Sequence, residues 1–188
     1  MRLRLKLATG VAVLGVAGIG TAALAHDNSR FAANLTGYEE VPTLSTSGTG
    51  TFKAWINRGK DEIRYTLTYA GPFDANPAGG TVTQAHIHLG APAIAGGVSA
   101  FLCTNLGNGP AAAPPPACPA APGTVSGTIT PASVIGPAAQ GIQAGEFAEL
   151  VRALRAGAAY ANVHTTTFPG GEIRGQISGG DEEHHGDH

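Results

Sequence analysis

The feature that most constrains this chain is a two-residue alternation of apolar and polar side chains, in short runs that end at glycine or proline. In residues 63–69, Ile, Tyr, Leu and Tyr alternate with Arg and Thr, and residues 52–56 repeat the pattern. Successive side chains of a strand point to opposite faces, so this alternation predicts strands with one buried face. Shorter runs predict further strands at 30–35, 83–89, 98–103, 124–129, 159–165 and 172–178. About eight strands separated by turn residues favour a β-sandwich or barrel.

One segment has the spacing of a helix instead. Phe147, Leu150, Val151 and Leu154 recur at intervals of three and four residues, and Gly157 follows them. This pattern predicts a short amphipathic helix near residues 146–156, which ends at a glycine and packs its apolar stripe over an open end of the sandwich. The predicted fold class is therefore all-β, a Greek-key sandwich or barrel with one short helix.

The first 25 residues have the three parts of a cleavable secretory signal. Three basic residues lie within the first six positions, residues 7–20 are uncharged and mostly apolar, and residues 23–25 read Ala-Leu-Ala. An uncleaved membrane anchor is the alternative, although the segment is barely long enough to span a bilayer. We expect a protein that is secreted or periplasmic, with no membrane span after cleavage.

The charge of the mature chain excludes some classes of partner. Without the three basic residues of the signal, 8 Lys and Arg remain against 13 Asp and Glu, a net charge of −5 with neutral histidines. No basic patch is left, which argues against nucleic acid and anionic membrane surfaces. The expected partner is an extracellular protein or a small ligand, which the sequence does not identify.

The last ten residues differ from the predicted domain. Residues 179–188 contain only Gly, Asp, Glu and His. Such a segment has no apolar area to bury and is expected to be a disordered acidic, histidine-containing tail. The predicted domain therefore covers residues 30–178.

Two cysteines flank a segment rich in proline, glycine and alanine. In an oxidising compartment Cys103 and Cys118 are expected to form a disulfide bond. Closing a loop of this length stabilises the fold by roughly 3 kcal/mol in the chain-entropy model. Two free thiols or a zinc-binding pair are the alternatives.

Two histidines in one predicted strand suggest a metal site. His86 and His88 are two residues apart, so they share one face of their strand, while Ala85 and Ile87 point to the core. Two imidazoles on one face can bind the same ion, and imidazole suits zinc and copper.

A predicted hairpin adds further candidates. Residues 159–165 and 172–178 are joined by a turn that contains Pro-Gly-Gly, and a turn centred on Phe168 sets His164 opposite Glu172. The same register sets Asn162 opposite Arg174. His86, His88, His164 and Glu172 are the candidate metal ligands, with Glu172 either as a fourth ligand or as an acceptor that orients His164.

Other interpretations of the same residues stay open. The histidines can instead hydrogen-bond loop carbonyls and fix the ends of the sandwich, and Glu172 with Arg174 can form an exposed charge pair worth under about 1 kcal/mol. An unknown small ligand or a partner surface is a third interpretation.

Five motifs, in this order and spacing, resemble a known family. They are FAANLTGYEEVP at 31–42, GTG at 48–50, AHIH at 85–88, YANVHT at 160–165 and GEIRGQI at 171–177. The chain resembles the CHRD domain, first noticed in chordin and also found in many exported bacterial proteins. The resemblance covers nearly all of the predicted domain.

The resemblance implies a fold and limits the function. CHRD domains are thought to be immunoglobulin-like β-barrels distantly similar to copper/zinc superoxide dismutase. A dismutase site needs a fourth copper histidine and zinc ligands that include a bridging histidine, whereas only His86, His88 and His164 lie in family-like motifs here. No catalytic residue is therefore assigned.

Together these observations predict a non-enzymatic extracytoplasmic module that binds copper or zinc through surface histidines. A copper- or zinc-dependent redox enzyme of the superoxide-dismutase type is one alternative. An adhesion or extracellular assembly module is the other.

The signal predicts the first residue of the mature chain. Cleavage after Ala25 leaves His26 at the amino terminus, because residues 23–25 form a small-x-small site. Intact mass spectrometry of the exported protein checks this, and a mass that includes residues 1–25 contradicts it.

Overall fold

The computed structural model describes residues 29–71, 73 and 80–179, which form one antiparallel β structure with a single α-helix. The strands are β1 (Arg30–Thr36), β2 (Thr49–Ile56), β3 (Ile63–Ala70), β4 (Val82–Leu89), β5 (Val98–Thr104), β6 (Gly123–Ile129), β7 (Ala159–Thr165), β8 (Ile173–Gln176) and β9 (Ser178–Gly179). The helix is α1 (Phe147–Arg155), and three short 3-10 turns lie at Gly37–Glu39, Pro131–Ser133 and Ala138–Gln140.

The strands pair in the order β5-β4-β7-β8-β1-β2-β3-β6, with β9 added beside β1. The prediction of an all-β sandwich or barrel with one helix is confirmed. The segment 172–178, predicted as one strand, is two short strands interrupted at Ile177.

The sheet nearly closes on itself where β5 approaches β6. The Tyr65 hydroxyl on β3 donates a hydrogen bond to the Leu102 carbonyl on β5, and Ala100 pairs with Val134 in an isolated bridge. These contacts join the two ends of the strand order, so the inner faces enclose one hydrophobic core.

The alternation in the sequence corresponds to the burial of the strands. In β3, Ile63, Tyr65, Leu67 and Tyr69 are buried, and Arg64, Thr66 and Thr68 between them are not. Full burial of one such apolar side chain stabilises the fold by roughly 1.5–3 kcal/mol, so this pattern sets which face of the strand turns inward.

The helix is one residue shorter at each end than the predicted 146–156, and it has the predicted glycine end. Its apolar stripe of Phe147, Leu150, Val151 and Leu154 is buried. The Gly157 amide donates to the Leu154 carbonyl and the Ala158 amide to the Ala153 carbonyl. This Schellman arrangement requires a left-handed residue, and Gly157 supplies it with φ of 64°.

The predicted disulfide bond between Cys103 and Cys118 is present, with the two Cα atoms 5.0 Å apart. The Asn105 side chain holds the same loop by donating to the carbonyls of Val82 and Cys118 and accepting from the Cys118 amide. The covalent bond therefore works together with a local hydrogen-bond network.

Two predicted segments lie largely outside the described residues. The predicted signal, 1–25, is one of them, and the predicted tail is the other except for Gly179, which pairs with Phe31 in the sheet. Within the described ranges, no helix is both long and apolar enough to cross a membrane.

A glycine lets β8 lie close against β1. A Cβ atom added at Gly175 would clash with the backbone carbonyl of Asn34 and approach Ala33 Cβ to 3.3 Å. Backbone atoms cannot move aside as a flexible side chain can, so this position needs glycine for close strand approach rather than for an unusual φ.

We therefore expect Gly175→Ala to lower the free energy of unfolding by about 1–3 kcal/mol through overpacking. Gly170→Ala is the matched control, because a Cβ there meets nothing within 4 Å. Thermal and urea unfolding measure both variants. Equal stability of the two variants would contradict this account of the β1–β8 contact.

Candidate metal centre

The pairing of β4 with β7 brings three histidines together. Gln84 lies opposite His164 and His86 opposite Asn162, so His86, His88 and His164 share one face of the sheet. His86 Nδ1 is 3.1 Å from His164 Nε2. One nitrogen atom from each ring lies within 4.8 Å of the others.

The prediction of surface histidines is wrong. His86, His88 and His164 are only 3%, 7% and 5% exposed. The face that carries them is covered by the loop after β4, since His88 Nδ1 bonds the Gly96 carbonyl at 2.9 Å and the Tyr160 hydroxyl accepts from the Gly96 amide at 3.0 Å. Strand β4 carries polar side chains on one face, yet both of its faces are buried at the histidines.

Hydrogen bonds to carbonyls set which ring nitrogens carry protons. Because carbonyl oxygens only accept, Nδ1 of His88 donates to Gly96, and Nδ1 of His164 donates to the Pro169 carbonyl at 3.0 Å. His164 Nε2 is then an acceptor for His86 Nδ1. Bonding to loop carbonyls, one of the alternatives from the sequence, is thus present for two of the rings.

This pattern leaves two imidazole lone pairs inside the protein. Nε2 of His86 and Nε2 of His88 are buried and have no hydrogen-bond partner among the described residues. Buried polar atoms are nearly always paired, because leaving one unpaired costs about 1–3 kcal/mol. The two unpaired acceptors are therefore the unusual feature of the cluster.

Burial also keeps the rings neutral. It lowers the pKa of His86 from 6.5 to about 2, with further lowering by His164 and His88. Burial lowers the pKa of His88 to about 4 and also lowers that of His164, against the hydrogen bonds to Gly96 and Pro169, which act to raise them. Neutral imidazoles can bind a metal ion without first releasing a proton.

Aromatic rings form the walls of the cluster. Phe101 lies edge-on to His86, with ring centroids 4.4 Å apart at 88°. Tyr160 stacks on His88 at 4.8 Å and 8°, and the Arg174 guanidinium lies 3.4 Å from the centroid of the Tyr160 ring. These contacts fix the His86 and His88 rings in place.

Glu172 does not join the three histidines. Its two carboxylate oxygens accept hydrogen bonds from Thr46 at 2.7 Å and Thr165 at 2.6 Å. The position at His164 Nδ1, where it was expected to act as an acceptor, is taken by the Pro169 carbonyl.

The predicted hairpin register is confirmed, since Asn162 pairs with Arg174. The alternative of an exposed charge pair is wrong, because Glu172 and Arg174 are 0% and 2% exposed. Covering loops bury these charges just as they bury the histidines.

Sequence reasoning missed a buried carboxyl group beside this face. Glu40 is 7% exposed, its Oε1 atom has no hydrogen-bond partner among the described residues, and burial raises its pKa from 4.5 to about 7 despite the nearby Arg174 charge. Gly171, with φ of 128°, makes room for it, because a Cβ there would lie 2.7 Å from Glu40 Oε1. Nothing in the sequence distinguishes Glu40 from the exposed Glu39 before it.

The fold and the cluster define an antiparallel β domain with three buried, converging histidines on one strand-borne face. The sequence model described as the CHRD domain matches residues 31–177, and the chain belongs to the CHRD domain family. This confirms the resemblance found in the motifs. No curated protein and no solved structure matches the chain.

The Glu40 carboxyl gives a pH-dependent stability of known sign. Its pKa is higher in the folded state, so its contribution to stability is present below about pH 4.5 and is lost as the pH rises through about 7. Glu40→Gln should therefore match the wild type near pH 5 and exceed its unfolding free energy by on the order of 2–3 kcal/mol at pH 9.

Urea unfolding at the two pH values measures this difference in unfolding free energy. Titration of the histidines changes the stability of variant and wild type equally, so it cancels in the comparison. Glu39→Gln is the matched control, because Glu39 is exposed. A Glu40→Gln variant whose stability relative to wild type is the same at both pH values contradicts the assignment.

Proposed function

We propose that this CHRD domain is a non-enzymatic extracytoplasmic module that binds one transition-metal ion, copper or zinc, through His86, His88 and His164. The observation that carries the proposal is the pair of buried Nε2 atoms without partners in a three-histidine cluster. A metal ion is an electron-pair acceptor that can satisfy such atoms at once.

The hydrogen bonds at the other side of the rings support the same proposal. Metal-binding histidines in proteins usually donate their second ring N–H to a carbonyl or carboxylate, which orients the ring. His88 and His164 do so to Gly96 and Pro169, and their Nε2 atoms are thereby left to face the cluster.

Binding of one ion by all three rings requires one hydrogen bond of the cluster to be replaced. Ligand nitrogens about 2.0–2.1 Å from one ion lie roughly 3–4 Å from each other. One nitrogen atom of each ring lies within 4.8 Å of the others. His164 Nε2 becomes free to bind an ion once the His86 ring turns and its 3.1 Å Nδ1 hydrogen bond to that atom is broken.

Burial favours retention of an ion over its use on a substrate. The rings are at most 7% exposed, so an ion at their centre has little contact with molecules outside. The disulfide bond and the signal-like segment 1–25 support an extracytoplasmic location, because structural disulfides persist in oxidising compartments.

The test uses the mature full chain with His26, His184, His185 and His188 each changed to glutamine, so that only the three cluster histidines remain of seven. We expect one equivalent of copper or zinc at neutral pH, measured by isothermal titration and by elemental analysis after dialysis. His86→Ala and His164→Ala in this background should each lower the affinity at least about tenfold, since one ligand of three is lost.

Asn162→Ala is the matched control, because Asn162 is equally buried on the same face and is the cross-strand neighbour of His86. It should keep the affinity, with folding of all variants checked by circular dichroism. Binding of neither metal by the parent, or binding that His86→Ala and His164→Ala leave unchanged, contradicts the proposal. Redox turnover by the metal-loaded parent protein would instead favour the alternative of a copper- or zinc-dependent redox enzyme.

A further inference from the structure

The cluster offers only neutral ligands. Its members are three imidazoles, and no carboxylate or thiolate of the described residues belongs to it. Glu172 is engaged by Thr46 and Thr165, and both cysteines are joined in the disulfide bond. The full charge of a bound ion would therefore stay on the ion and its imidazoles.

The charged group stacked nearest to the histidine rings is a cation. The Arg174 guanidinium lies on the Tyr160 ring, which in turn stacks on His88. The guanidinium carbon is 3.4 Å from the centroid of the Tyr160 ring, and the Tyr160 and His88 centroids are 4.8 Å apart, so one aromatic ring separates this charge from the cluster. Arg174 thus opposes additional positive charge at the histidines.

The free-energy cost of desolvation differs strongly between ions of different charge at such a site. The cost of moving an ion out of water rises with the square of its charge, so a divalent ion costs about four times as much as a monovalent ion of the same size. With rings at most 7% exposed, little of this cost is recovered from solvent.

The number of available ligands also favours a monovalent ion over zinc. Zinc in proteins is almost always four-coordinate and takes a fourth ligand beyond three histidines. Copper(I) is stable with two or three ligands, so ligand number separates it from zinc here, whereas imidazole as a donor suits both metals. Three converging nitrogens between Phe101 and Tyr160 match the lower number.

From the donor set, the adjacent cation and the burial, we infer that the three-histidine centre selects monovalent copper over the divalent ions zinc and copper(II). This inference rests on the proposed function and specifies which ion the site is built to hold.

The experiment compares ions on one protein, the full chain with only the three cluster histidines. Copper(I) affinity is measured without oxygen by competition with bicinchoninate, and silver(I) serves as a monovalent probe that does not change oxidation state. Zinc and copper(II) affinities are measured with chromophoric chelators at the same pH. We expect copper(I) to bind at least about 100-fold more tightly than zinc.

A second measurement needs no variant. X-ray absorption of the copper(I)-loaded protein should show three nitrogen neighbours and no fourth light atom. Arg174→Gln should narrow the ratio of copper(I) to zinc affinity, because it removes the adjacent positive charge while keeping a polar, though shorter, side chain.

The outcomes separate the two proposals. Zinc or copper(II) binding that depends on His86 and is as tight as copper(I) binding overturns the selectivity and leaves the metal site standing. Failure of all four ions to bind overturns both. Tight copper(I) and silver(I) binding with weak zinc binding, lost in His86→Ala and kept in Asn162→Ala, supports both.

Discussion

Burial of a polar sheet face is the constraint on which the rest of this structure depends. All seven residues of β7 are buried, including Asn162 and His164, so its two faces both lie away from solvent. Inside a protein each polar group needs a partner, because an unpaired one costs about 1–3 kcal/mol. The side chains on this face therefore bond the loops above it. His88, His164 and Arg174 donate hydrogen bonds to the backbone carbonyls of Gly96, Pro169 and Ala91, respectively.

The same constraint produces the candidate centre. Every bond from a ring Nδ1 atom to a loop carbonyl leaves Nε2 of that ring without a proton, and one nitrogen of each ring lies within 4.8 Å of the others. Burial keeps the rings neutral, and Phe101 and Tyr160 hold their orientation. What stabilises the covering loops also prepares electron pairs for an ion, so one arrangement accounts for both structure and proposed function.

Much of the fold could be predicted from the sequence because local patterns determine it. Alternation predicted the strands, and the short hairpin predicted the pairing of Asn162 with Arg174. Burial of the histidines could not be predicted, because the loop that covers them, residues 90–97, contains only Gly, Ala, Pro and Ile and has no period. The burial of Glu40 could not be predicted for a similar reason, since only the tertiary position of its turn distinguishes it from the exposed Glu39.

The arrangement of protons on the three rings tests the central claim most directly. Free neutral histidine carries its proton mainly on Nε2, whereas the bonds to Gly96, Pro169 and His164 place it on Nδ1 in all three rings. A long-range ¹H–¹⁵N NMR spectrum at neutral pH should therefore show three rings with protonated Nδ1 and bare Nε2, and added metal should shift the resonances of the coordinating nitrogens. Protons on Nε2 of His86 and His88 would mean that no lone pairs face the cluster, and the account would be wrong.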